Sequence, residues 1–344
     1  MLAVMLAVTR PWYRRKRTLI PSAFLASGLG MLLVSALSPW PAALLIRAVF
    51  EKGAADTVAE MLPYAPTSGV AKRLDLSYGD AGSDTTFDLF TPESGSDALP
   101  TVVWIHGGAW ISGDKRDIAP YARILAERGY TVVTLNYTVS PETVYPTAVT
   151  QLNSALGFLS ANSAEYRIDP DRIVLAGDSA GAQYASQLAT LITNPTYAEL
   201  VGVEPAISAD QLRAVVLNCG IYDVSGIPNT PGIGGWGFRV ALWSYVGDKN
   251  WSRQPAGDEM STINLVTDKF PATWISGGNG DPLTDTQSRP LAARLDELEV
   301  PVTSVFYGDD HSPSLPHEYQ FHLDYADART ALESTVEFLA ATTH

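Results

Sequence analysis

Cysteine is almost absent: Cys219 is the single one in 344 residues, so no disulfide can close within the chain. It ends the apolar run of residues 214–219 and reads as a small buried hydrophobe rather than a reactive thiol. Positive charge is also scarce. Lys and Arg number 23 against 37 Asp and Glu, a net charge of −14 that would repel phosphate backbones and excludes nucleic acid as a partner. Internal repeats and low-complexity tracts are missing too. What is left, 46% hydrophobic and 17% charged residues, is the composition of a globular chain with an ordinary core.

Charge disappears altogether from residues 18–46. Within that stretch, residues 19–37 are apolar and long enough to cross a bilayer, for which about 20 residues are needed. Pro21, Gly28 and Gly30 weaken a soluble helix but are tolerated in a membrane one. The basic cluster Arg14, Arg15, Lys16 and Arg17 abuts the run, which keeps that end cytoplasmic and the bulk of the chain outside. Two forms of this segment compete: an uncleaved signal anchor, or a secretory signal cut after Val34-Ser35-Ala36. Residues 40–50 are again apolar, which favours retention at the membrane over secretion. The expected division is a basic N-terminus over 1–17, a membrane-spanning segment over 18–38, a juxtamembrane linker over 39–68 and a folded domain over 69–344.

In that domain strand and helix patterns alternate. Strands are expected over 70–78 and 85–91 as a hairpin, then over 101–105, 130–136, 172–175, 212–218, 272–276 and 302–307. Helices are expected over 118–128, 147–160, 180–192, 286–298 and 326–339. Such alternation gives a mostly parallel sheet with helices on both faces, and the hairpin adds antiparallel strands at one edge. Residues 224–267 break the rhythm. They are too long for a usual connection and carry Trp236, Phe238, Trp243, Tyr245 and Trp251, as a lid or pocket wall would.

Gly177-Asp178-Ser179-Ala180-Gly181 falls between a strand and a helix. A turn of that kind strains its middle residue and lifts the serine oxygen above the sheet, while glycines two before and two after remove the clash. His106-Gly107-Gly108-Ala109-Trp110 follows an apolar strand. Attack on an ester places negative charge on the carbonyl oxygen, and backbone N–H groups aimed there stabilise it. The candidate donors are Gly108 and Ala109, or Gly107, together with Ala180. His106 is read as a brace for this loop and not as a base.

These two motifs, Gly113-Asp114-Lys115, residues 136–142 and Gly280-Asp281-Pro282-Leu283 resemble, in this order, the hormone-sensitive-lipase-type esterases. They also resemble neighbouring acyl-ester hydrolases with an H-G-G-x-W loop, a group to which Ala109 in place of a third glycine brings the chain closer. The likeness runs from about residue 70 to the C-terminus and implies an α/β-hydrolase fold with a serine, histidine and acid triad.

By that resemblance Asp281 is the acid, on a loop at the C-terminal end of a strand, where the catalytic groups of open α/β sheets gather. Asp285 is the alternative, or simply an acidic residue at a helix start. For the base, two arguments disagree. His311 lies 30 positions after Asp281, which suits a direct return of the chain. His317 has Tyr319 two positions on, which resembles the H-G-F of the esterases, and it is preferred. His322 is read as solvated or packing. The expected chemistry is ester hydrolysis through an acyl-enzyme on Ser179, with a small-molecule ester as partner and with no metal or organic cofactor. An amide or formamide hydrolase would use the same groups. A serine peptidase of this kind would carry a large extra domain. A catalytically dead fold acting as a membrane-tethered binding module would not need Ser179, Asp281 and a histidine together.

Overall fold

The computed structural model describes residues 34, 36–227 and 232–344. Eight strands form one sheet: β1 Val70–Ser77, β2 Thr86–Pro92, β3 Leu99–Ile105, β4 Thr131–Leu135, β5 Ile168–Asp178, β6 Leu212–Asn218, β7 Ala272–Gly277 and β8 Val302–Phe306. Their spatial order is β1-β2-β4-β3-β5-β6-β7-β8. β1 pairs antiparallel with β2 and β2 antiparallel with β4. Every later pairing is parallel. The alternating pattern therefore gives the parallel sheet it predicts, with the hairpin at one edge.

Two-residue periodicity divides the core. Val103, Ile105, Leu175 and Leu217 point to one face, where helices α3 (Thr147–Ala161), α4 (Ala180–Thr193) and α6 (Arg289–Glu297) cover them. Val102, Trp104, Val174, Val216 and Trp274 point to the other, under α2 (Ala119–Glu127) and α7 (Ala326–Thr343). The central strands are buried on both faces, so they read as continuous apolar runs.

Two segments differ from expectation. The stretch read as a linker over 39–68 contains a 22-residue helix, α1 (Trp40–Met61), with prolines at its start. Its apolar residues lie largely on an exposed face, so no buried stripe betrays it in the sequence. The 224–267 insertion contains α5 (Gly232–Val246) and a short helix, Pro255–Met260. Tyr245 of α5 stacks on Trp110 with ring centroids 5.8 Å apart and meets Tyr145 and Tyr184 edge-on. Aromatic packing thus fixes the insertion against the 106–110 loop. The expected membrane segment over 18–38 lies, but for residues 34 and 36–38, outside the described residues. Among the described residues no helix is long and apolar enough to cross a membrane.

Candidate active site

Ser179 sits in the turn between β5 and α4 with φ 50° and ψ −118°, a region that side chains other than glycine rarely adopt. The flanking glycines are needed for a visible reason. A Cβ on Gly177 would strike the Gly181 backbone, and one on Gly181 would strike the Ile105 carbonyl oxygen. Tight packing of turn, strand and helix holds the strained conformer in place.

His317 stands beside the serine. Its Nε2 lies 3.0 Å from Ser179 Oγ and its Nδ1 lies 2.7 Å from Asp281 Oδ2. A carboxylate can only accept, so the proton belongs on Nδ1, and Nε2 is left to accept from the serine hydroxyl. The other Asp281 oxygen accepts the Leu283 N–H at 2.9 Å. The chain reaches this point by a detour. After β8, the loop turns at Gly308–His311 and returns at Leu315, whose N–H is 2.9 Å from Asn279 Oδ1 and whose carbonyl takes the Gly280 N–H at 2.9 Å. The loop presses so closely on the Asp281 loop that a Cβ on Gly278 would collide with the Leu315 carbonyl.

The other candidates go elsewhere. His311 packs on Tyr307 at 4.4 Å, and its Nε2 lies 3.2 Å from Asp327. His322 Nδ1 is 2.6 Å from Glu60 of α1. Asp285 pairs with Arg289 at 2.9 Å on the surface. His106 stacks on Tyr137, ring centroids 4.4 Å apart, with Nδ1 2.8 Å from the Gly107 carbonyl. Burial pushes its pKa down to about 4, despite that bond, so the ring is neutral at pH 7.

One proposed oxyanion donor must be withdrawn. The Gly107 N–H is already given to Asp178 Oδ2 at 2.8 Å and cannot also serve a substrate. The N–H groups of Gly108, Ala109 and Ala180 donate to nothing among the described residues. Gly108 and Ala109 have positive φ of 103° and 51°. The Asp178 side chain also accepts from Trp104 Nε1 at 2.7 Å. It therefore ties the serine turn to the 106–110 loop. Burial and the nearby Glu318 carboxylate push its pKa well up, against the two N–H bonds it accepts.

Burial opposes a charged His317 imidazole, but the Asp281 carboxylate, through its charge and its hydrogen bond with Nδ1, favours the charged ring and raises the pKa above its ordinary value. Burial also pushes the Cys219 thiol up to about 11. At neutral pH that sulfur is uncharged, and Asp281 is the operative anion. Cys219, Asp281 and His317 could together hold a cation, since their donor atoms lie within 4.8 Å of one another. Both imidazole nitrogens already face protein partners, so an ion there would displace one of those contacts.

A cavity of about 390 Å³ opens onto Ser179 and His317. Besides the 106–113 loop and the serine turn, its walls include Val49 and Phe50 of α1, Phe238 of α5, and Glu318 beside the histidine. Arg47 clamps α1 down. It donates to the carbonyls of Ile111 and Ser140 at 2.6 and 2.7 Å and pairs with Glu142 at 2.5 Å.

The family model described as BD-FAE matches residues 87–295, more than half of the chain and the part that holds the serine turn, the 106–110 loop and Asp281. The chain belongs to the BD-FAE family. Esterase LipQ of Mycobacterium tuberculosis is 28% identical over 274 residues, which are 78% of this chain and 62% of that protein. The acetyl esterase of Salmonella choleraesuis is 27% identical over 65% of this chain and 67% of its own length. The chain thus spans less than two thirds of LipQ. Among solved structures, esterase B from Lactobacillus rhamnosis superimposes with a TM-score of 0.75 at 25% identity, over 88% of this chain and 96% of that one. The esterase of Pyrobaculum calidifontis, at 20% identity and a TM-score of 0.69 over 88% of this chain and 94% of that one, shares the fold. With these likenesses and the sheet order, this BD-FAE member is an α/β-hydrolase of the hormone-sensitive-lipase type, as its motifs imply.

Proposed function

We propose that the protein hydrolyses carboxylic esters through a covalent acyl-enzyme on Ser179. The observation that carries this reading is the imidazole of His317, 3.0 Å from the serine oxygen on one side and 2.7 Å from Asp281 on the other. Nε2 takes the serine proton as Oγ attacks the carbonyl carbon. The oxyanion faces the N–H groups of Gly108, Ala109 and Ala180. His317 then returns the proton to the leaving alcohol, and a water, activated by the same nitrogen, releases the acid. Asp281 holds the tautomer and stabilises the imidazolium. The esterase names of the relatives support the ester as the bond cleaved.

Ser179→Ala is expected to reduce ester turnover by about 10⁶-fold while leaving the fold intact. Wild-type protein should react with a fluorophosphonate at Ser179, and the variant should not. Labelling elsewhere, or turnover retained in pure Ser179→Ala protein, would overturn the assignment.

The reading extends to location. The uncharged run over 18–46 behind the Arg14–Arg17 cluster supports a membrane anchor with the catalytic domain outside the cytoplasm.

A further inference from the structure

The first three turns of α1 expose an apolar face. Leu37, just ahead of the helix, is 74% exposed, Leu45 and Val49 are each 63%, and Trp40, Leu44 and Phe50 are 42–45%. Trp40, Leu44, Leu45 and Val49 lie within the half of the helix circumference opposite buried Ala43 and Ile46, while Phe50 lies on the cavity side. From residue 34 to residue 50 the only charged side chain is Arg47, and it is turned inward to Glu142. The character of the face changes abruptly at the next turn, where Lys52 and Asp56 form an exposed ion pair. Beside α1 lies α5, which adds Ile233 at 86% and Trp236 at 42% exposure. An apolar patch of this extent on a soluble face is unusual and marks an interaction surface.

Two further observations identify what meets it. The patch continues the chain's own uncharged run, which begins at residue 18 and enters α1 without a break. The same helix turn also forms the mouth of the catalytic cavity, because Val49 and Phe50 line that cavity while remaining exposed.

We infer that this face lies in the bilayer surface and opens the cavity toward the lipid, so that the substrate is an ester dissolved in the membrane. The inference rests on the membrane-anchor reading above. A protein surface that meets the bilayer places its exposed apolar side chains at the headgroup boundary and leaves its charged residues in water. Here the boundary falls at Lys52. Trp40 suits the interface, where indole rings concentrate. An acyl chain leaving the bilayer would pass Val49 and Phe50 and reach Ser179 without crossing water.

The test uses the full chain bound to vesicles of phosphatidylcholine and phosphatidylglycerol. Flotation reports the anchor. Brominated phosphatidylcholine reports the face, by quenching the part of the emission that Trp40→Phe removes. Activity is read on a water-soluble butyrate ester and on a long-chain ester dissolved in the vesicles. Leu44→Glu with Leu45→Glu, two positions outside the cavity, should leave the soluble ester within about twofold and slow the dissolved ester by about tenfold or more. Flotation with quenching and that selective loss supports the proposal. Flotation without quenching, or an equal effect on both esters, overturns it and leaves the anchor standing; residues 18–33 or a second copy covering the face would give that result. Failure to float overturns the anchor, and the proposal falls with it. The quenching arm does not depend on turnover, so it remains informative even if the ester-hydrolase reading fails.

Discussion

His317 and His311 lie six positions apart in one loop and have opposite fates. The local signal, an aromatic two positions after the histidine, concerns short-range packing, and Tyr319 is fully buried. The 30-residue spacing from Asp281 to His311 assumes a direct return and cannot register the detour pinned by Asn279 and Leu315. His317→Ala should lower turnover by several powers of ten. His311→Ala should cost much less, because its ring contacts Tyr307 and Asp327 instead of the serine. Steady-state kinetics of the two variants on one ester would check this, and the reverse order would refute the assignment. The same geometry sets the pH profile. His317 accepts the serine proton only when neutral, and its pKa is raised, so kcat/KM must fall as pH drops through a value above the ordinary 6.5 or so. Asp281→Asn removes the stabilising anion and should move the remaining acid limb to lower pH. An unmoved limb would show that another group sets it. Asp178 was open to notice at this scale, since it adjoins the nucleophile. Its link to Trp104 and Gly107 joins residues more than 70 positions apart, a contact that no local pattern records.

Elements with a clear period are legible in the sequence, and elements without one are not. β3, β4 and β6 are short apolar runs, and the structure places each within two residues of expectation. β5 begins earlier than its apolar run suggests, at Ile168, because Ile-Asp-Pro-Asp extends the strand through a register shift where Pro170 is tolerated. α1 is the instructive failure. A helix is recognised by the stripe it buries, and α1 buries only Ala43, Ile46 and Met61 while exposing larger apolar groups. What seats it is Arg47, a single side chain reaching two carbonyls and a carboxylate. Hydrogen bonds from a charged donor each contribute about 1.5–3 kcal/mol, less where water competes, as it does at half-exposed Glu142. Arg47→Ala should therefore cost about 1–2 kcal/mol, a few degrees in Tm. It should also raise KM more than it lowers kcat, because Val49 and Phe50 form a wall of the cavity and take no part in proton transfer. Thermal unfolding and kinetics with an ester that fills the cavity would measure both. A change in kcat alone would mean that α1 does not shape the substrate site.

For the molecule as a whole, charge is distributed in one direction. Every acidic residue lies at position 51 or beyond, whereas Arg10 and the Arg14–Arg17 cluster precede the uncharged run. Orientation across a membrane follows the Lys and Arg flanking a span, and acidic residues contribute little to it. In the proposed topology the orientation therefore rests on the basic cluster and not on the net charge of −14. In the proposed topology, with that cluster in the cytoplasm, residues 69–344 would face outward, and the single buried cysteine is an arrangement that needs no reducing compartment to stay intact. Protease added to intact cells, with any outer envelope made permeable, should digest the catalytic domain and abolish fluorophosphonate labelling of Ser179. Replacing Arg14, Arg15, Lys16 and Arg17 by neutral residues should weaken the orientation and protect a fraction of the domain. Full protection in cells carrying the unaltered chain would place the domain on the cytoplasmic side and overturn the topology, while the geometry around Ser179 would be untouched.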